Sequence, residues 1–201
     1  ARYEAVALEK YSGKGALIDA LKNADAVIIR SDIIDAEVLG GAAKLSLVVR
    51  AGAGYDNVDT KTAKERGVAV MNTPGQNANA VAELLLGMMV MQARNLYDGS
   101  TGSELKGKTL GLHAFGAVAR AVATIAQGFG MQVLAFDPFV GADAMKAAGV
   151  EAVSSVEALY ERSRYVSLHI PATAETKGSI GKDRLLKMPK GATLINTARK
   201  E

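Results

Sequence analysis

The chain has 201 residues, 49% of them hydrophobic and 22% charged, enough apolar material for a core and too much for a disordered chain. Its 24 basic and 21 acidic side chains leave a net charge of +3, with no basic run of the kind that binds nucleic acid. Cysteine is absent, which excludes disulfides, thiolate metal sites and cysteine nucleophiles, and two histidines leave little for a transition-metal site.

Along the chain, short apolar runs alternate with longer amphipathic stretches. Residues 4–8 have a strand pattern, 17–21 a helical turn and 26–29 a buried strand. A helical stretch at 36–39, a strand at 45–49, a helix at 60–65 and a strand at 68–71 follow. Residues 78–94 form the longest helical pattern, with Val81, Leu84, Leu85, Met88 and Met91 on one apolar face, best explained as core packing. The polar, Gly- and Ser-rich segment 97–103 reads as a linker or surface loop. A second series then begins, with strands at 109–113, 132–136, 165–168 and 192–195 and helices at 117–129, 143–148 and 156–162.

Alternation of this kind predicts an α/β protein with parallel sheets. The expected architecture is two doubly wound, Rossmann-like lobes, a substrate-binding lobe over residues 1–98 and a nucleotide-binding lobe over 99–201. Both ends read as cut: the chain opens within a strand pattern and closes just after one, without the helix that an open parallel sheet needs on its face. The opening residues carry charges where a signal peptide needs an apolar core, and no apolar run reaches the roughly 18 residues of a membrane helix. With no cysteine, the expected location is the cytoplasm, away from membranes.

The second lobe carries the first chemical signal. Strand 109–113 runs into Ala114-Phe115-Gly116-Ala117-Val118-Ala119 and then a helix, the position of a pyrophosphate-binding turn. Where three glycines are usual, the chain has Ala, Gly, Ala. Gly116 keeps the place where backbone must approach phosphate, and Ala119 suits a helix–strand contact. Ala114 is uncomfortable if the turn needs positive φ. The next strand ends in Asp137, 23 residues beyond Ala114, near the spacing of about 20 for a carboxylate that accepts from a ribose hydroxyl. A carboxylate there repels a 2′-phosphate, which favours NAD over NADP. The alternative is a simple Asp137-Pro138 turn.

Arginines carry the second signal. Arg30, Arg50 and Arg199 each sit at the carboxyl end of a predicted parallel strand, the edge where open α/β sheets bind ligands. Arg50 leads into the small-residue loop Ala51-Gly52-Ala53-Gly54, whose N–H groups suit an anion. Three guanidinium groups would suit a substrate with two anionic groups, such as carboxylate and phosphate. The alternative is three solvated strand ends. His113 and His169 both end strands. Either is open to a structural reading, and His169 also to cofactor contact or acid/base work.

Together the motifs resemble one family, the D-isomer-specific 2-hydroxyacid dehydrogenases. The segments that carry the resemblance begin with Arg50 to Asp59, with Met71-Asn72-Thr73-Pro74-Gly75, and with Ala80-Val81-Ala82-Glu83. They continue through Leu105-Lys106-Gly107-Lys108-Thr109-Leu110-Gly111, Ser167-Leu168-His169-Ile170-Pro171 with Glu175-Thr176, and Leu194-Ile195-Asn196-Thr197-Ala198-Arg199. Within the family the chain is most similar to short-type members that oxidise 3-phospho-D-glycerate on the route to serine. The resemblance implies a catalytic role for Arg199, orienting the substrate carboxylate and polarising the carbonyl. It implies substrate contacts at Arg30, Ser31, Arg50, Ala51 and Gly52. Cofactor contacts are implied at Ala53, Gly116, Ala117, Val118, Asp137, Ile170, Thr197 and Ala198. It also implies NAD as cofactor, a homodimer built through the cofactor lobe, and an acid/base with its carboxylate partner after Glu201. Two other readings share the fold: a dehydrogenase for a different D-2-hydroxy acid, and a non-catalytic, NAD-responsive corepressor.

Overall fold

In the computed structural model, which describes residues 3–199, the chain divides into two compact units, Ala1–Gln76 and Asn77–Glu201. Each unit is a parallel sheet, because its strands are joined by helical crossovers rather than tight hairpins.

The first unit holds α1 (Gly13–Leu21), β1 (Ala26–Ile29), α2 (Ala36–Gly41), β2 (Leu47–Arg50), α3 (Thr60–Glu65) and β3 (Ala69–Asn72). Its strands lie in the order β1-β2-β3, with Ile29 opposite Arg50 and Arg50 opposite Asn72. Local chemistry starts two of its helices. Asp35 accepts from the Val38 N–H and Asp59 from the Thr62 N–H, caps worth about 1 kcal/mol each. Leu17, Leu21, Val38, Leu39, Val48 and Ala63 form the core between helices and sheet.

The second unit begins with α4 (Ala78–Ala93) and continues through β4 (Thr109–His113), α5 (Ala117–Gly128), β5 (Gln132–Phe136), α6 (Ala142–Ala147) and β6 (Glu151–Ala152). It is completed by α7 (Val156–Arg162), β7 (Tyr165–Leu168), α8 (Lys182–Leu185) and β8 (Thr193–Asn196). The sheet order is β6-β5-β4-β7-β8. The winding reverses between β4 and β7, where an open sheet leaves a crevice at its carboxyl edge. β7 is buried along its whole length, as expected for a central parallel strand covered on both faces.

Three expectations change. Residues 4–8 lie outside any strand, and Val6 is 84% exposed: a strand pattern without a neighbouring ladder has nothing to pair with. The boundary falls between Gln76 and Asn77 rather than near residue 98, because α4 packs into the second core beside α5. The buried face of α4 also differs. Ala82, Leu85, Leu86 and Met89 are inside, whereas Leu84, Met88 and Met91 are exposed. The helix is apolar nearly all round, so its periodicity does not select one face.

Candidate cofactor and substrate sites

At the switch point, β4 ends in His113 and turns through Ala114, Phe115 and Gly116 into α5. Ala114 adopts φ +81°, the left-handed region that a side chain enters at a cost of about 1–2 kcal/mol. The turn keeps this conformation because the Ala114 N–H donates to the Phe136 carbonyl at 2.8 Å. Gly116 is the N-cap of α5, makes no side-chain cap, and has open space where a Cβ would stand. The N-terminal N–H groups of α5 therefore face room for an anion. Ala119 is fully buried, consistent with the close packing its position demands.

Asp137 closes the same turn from β5. One carboxylate oxygen accepts from the Phe115 N–H and the other from the Phe139 N–H, both at 2.8 Å. The local Asp-Pro turn and the link to the phosphate turn thus coexist. Each carboxylate oxygen retains a lone pair for a ribose hydroxyl.

His113 ends β4 and His169 directly follows the neighbouring β7, and the His169 N–H donates to the His113 carbonyl at 2.9 Å. Nδ1 of His113 lies 3.2 Å from the Tyr160 hydroxyl, with the rings edge to face. Burial, aided by the Arg184 charge, pushes His113 down to about 4 against opposing pulls from Asp137 and Glu157. Burial, with His113 nearby, likewise holds His169 at about 4, and burial lifts Tyr160 to about 12. Both imidazoles are neutral near pH 7.

Beyond β7 and β8, Ile170, Pro171, Asn196, Ala198 and Arg199 line a cavity of about 210 Å³. Asn196 shapes its rim: its side chain accepts from the Ala198 N–H and donates to the Arg199 carbonyl at 2.7 Å. His169 Nε2 and Thr197 Oγ1 are buried without a hydrogen-bond partner. Buried polar atoms left unpaired are costly, so a polar ligand at this edge fits them. Together with the open Gly116 turn and the Asp137 carboxylate, they fit a dinucleotide.

The first unit gathers a different set at its own carboxyl edge. Arg30 follows β1 directly, and Arg50 ends β2 opposite Ile29, the residue before Arg30. Asn57 ties the loops together, donating to the Asp32 carbonyl at 2.7 Å, while Ile34 and Val58 form an isolated bridge. Ser31 is exposed beside Arg30. Arg50 folds back over Gly52, where an added Cβ would stand 1.4 Å from its Nη1, and its Nε is buried with no partner. The Ala51 and Gly52 N–H groups donate to the carbonyls of Ile29 and Arg50, so the loop's first two amides are already used. The Ala53 carbonyl accepts from Asn72 Nδ2 at 2.7 Å. Sequence reasoning gave Asn57, Asn72 and Asn196 no role of their own, although all three lie in segments that carry the family resemblance. The further signal was Asn near strand ends and turns, where its amide can bond to backbone.

The reversed strand order, the glycine-centred turn at a helix N-terminus and the carboxylate directly after the second strand define the second unit as a Rossmann-type dinucleotide-binding domain. Residues 75–201 match the family model described as D-isomer specific 2-hydroxyacid dehydrogenase, NAD binding domain. The chain is 34% identical to the D-3-phosphoglycerate dehydrogenase of Methanocaldococcus jannaschii over 92% of its own length and 38% of that protein. It is 36% identical to the hydroxypyruvate reductase of Thermotoga maritima, over 92% of the chain and 64% of that protein. The NAD+-bound crystal structure of 3-phosphoglycerate dehydrogenase from Entamoeba histolytica superposes with a TM-score of 0.87 at 45% identity, covering 96% of this chain and 62% of that one. The chain belongs to the D-isomer specific 2-hydroxyacid dehydrogenases, and its second unit is their NAD-binding domain. It spans less than two thirds of the length of each of these relatives.

Proposed function

We propose that this chain serves the NAD-dependent oxidation of 3-phospho-D-glycerate at C2 to 3-phosphohydroxypyruvate, an entry to serine biosynthesis in the cytoplasm. The observation that carries the phosphorylated substrate is the pair Arg30, directly after β1, and Arg50, the last residue of the neighbouring β2, at one sheet edge. Two guanidinium groups suit a phosphate dianion better than a neutral hydroxymethyl group. Ser31 adds a hydroxyl beside them. Arg199, held by the Asn196 turn, grips the carboxylate and polarises the C2 oxygen as it becomes a carbonyl. Bound NAD supplies the acceptor for the C2 hydride, while the hydroxyl proton leaves to a general base.

On the cofactor side, the α5 N-terminus with Gly116, Ala117 and Val118 takes the pyrophosphate and Asp137 takes the ribose. Ile170, Thr197 and Ala198 complete the contacts within this unit. The exposed Leu84, Met88 and Met91 on α4 supply an apolar stripe for a second copy of the chain. A second reading, oxidation or reduction of an unphosphorylated 2-hydroxy acid, is favoured by the 36% identity to a hydroxypyruvate reductase.

The test is kcat/KM for 3-phosphoglycerate and for glycerate in Arg30→Ala, Arg50→Ala and Arg199→Ala. A charge-assisted pair in a closed site is worth about 1.5–3 kcal/mol, roughly 10- to 150-fold. Loss of Arg30 or Arg50 then penalises the phosphorylated substrate by that factor, and loss of Arg199 penalises both alike. An unchanged preference in the first two variants refutes the phosphate assignment.

A further inference from the structure

The phosphate turn of the second unit contains no cation between Ala114 and Ala119. The next residue is Arg120, the single charged side chain of α5, which is otherwise Ala, Val, Thr, Ile, Gln and Gly. Its place is electrostatically poor. It sits in the first turns of a 12-residue helix, where the macrodipole is positive and a cation is disfavoured. Among the described ion pairs, none recruits a carboxylate to it.

Instead the guanidinium carbon lies 4.6 Å from the centre of the Phe115 ring. Phe115 is fully buried, and its N–H is held by Asp137. A helical side chain points back toward the N-terminus, so Arg120 reaches toward the turn, not away from it. The order of support is Asp137 to Phe115 to Arg120, which ties the guanidinium to the group assigned to the ribose. A cation held at a helix N-terminus without a carboxylate becomes favourable once an anion binds between it and the N–H groups.

We propose that Arg120, carried on the Phe115 ring, is a binding residue for the dinucleotide pyrophosphate and supplies the charge that the turn itself lacks. The inference rests on the NAD reading of this unit. It separates two jobs: the backbone of Gly116, Ala117 and Val118 gives the phosphates direction, and Arg120 neutralises charge.

The experiment uses the whole chain and measures binding, not turnover. NADH and ADP-ribose are titrated by calorimetry, and adenosine by NMR, against wild type, Arg120→Gln and Arg120→Lys at two salt concentrations. Arg120→Gln is expected to weaken NADH and ADP-ribose about ten-fold and flatten their salt dependence. Adenosine, which has no phosphate, is expected to bind as before, and Arg120→Lys to restore most of the loss. Thermal unfolding without ligand reads the structural share of the ring contact. If Arg120→Gln lowers the unliganded Tm yet binds ADP-ribose as wild type does, Arg120 is a helix-packing residue and the proposal is overturned. If wild type itself binds neither NADH nor ADP-ribose, the NAD reading fails with it, an outcome distinct from equal binding by both proteins.

Discussion

Acid should unfold this protein through its two histidines, and the size of the effect follows from their surroundings. His113 and His169 are its only histidines, and burial depresses both to about 4 from an ordinary value near 6.5. A depressed imidazole favours the folded state while neutral, so its contribution is fully present above pH 6.5 and is lost as pH falls toward 4. By pH 5 each histidine has lost about 2 kcal/mol relative to pH 7.5, about 4 kcal/mol for the pair, because the unfolded chain takes up a proton at each imidazole that the fold still refuses. That corresponds to a fall in Tm on the order of 10 °C. Carboxylates whose values are lowered, such as Asp35 and Asp59, lose their contributions below this window, near and under their ordinary range. The assay is thermal and urea unfolding at pH 7.5, 6 and 5 for wild type, His113→Gln, His169→Gln and the double variant. Each single variant should lose about half of the pH dependence between 7.5 and 5. A double variant that falls as steeply as wild type refutes the assignment.

Asp137 should enforce NADH over NADPH, because a 2′-phosphate would meet a carboxylate; fluorescence titration with the two nucleotides checks this, and equal affinities contradict it. Gly111→Ala should destabilise the second unit by about 1–3 kcal/mol, read by urea unfolding. Its Cβ would stand 2.3 Å from Ser163 Oγ and 3.1 Å from Leu159 Cγ, forcing α7 off the sheet, so wild-type stability would show that the contact is easily relaxed. Met88→Glu should convert a dimer into a monomer in sedimentation at micromolar concentration, since Met88 lies 44% exposed on the α4 stripe, and a monomeric wild type argues against that interface.

Much of the fold was legible in the residue order. Strands at 26–29, 109–113, 132–136 and 165–168 stand where their apolar runs end against turn residues, because a buried parallel strand needs little more than a short apolar run. The turn around Gly116, the carboxylate at Asp137 and the arginines at strand ends were legible for the same local reason: each is defined by its distance from a strand. Tertiary structure decided what depends on neighbours far along the chain. It chose which side of the uniformly apolar α4 is buried and so placed the boundary at Gln76, and it left residues 4–8 without a ladder. It also set His113 against Tyr160, 47 residues away, folded Arg50 over Gly52, and laid Arg120 on Phe115. Local sequence specifies a backbone's periodicity, but the environment that tunes a histidine or aims an arginine is built from residues that only packing brings together.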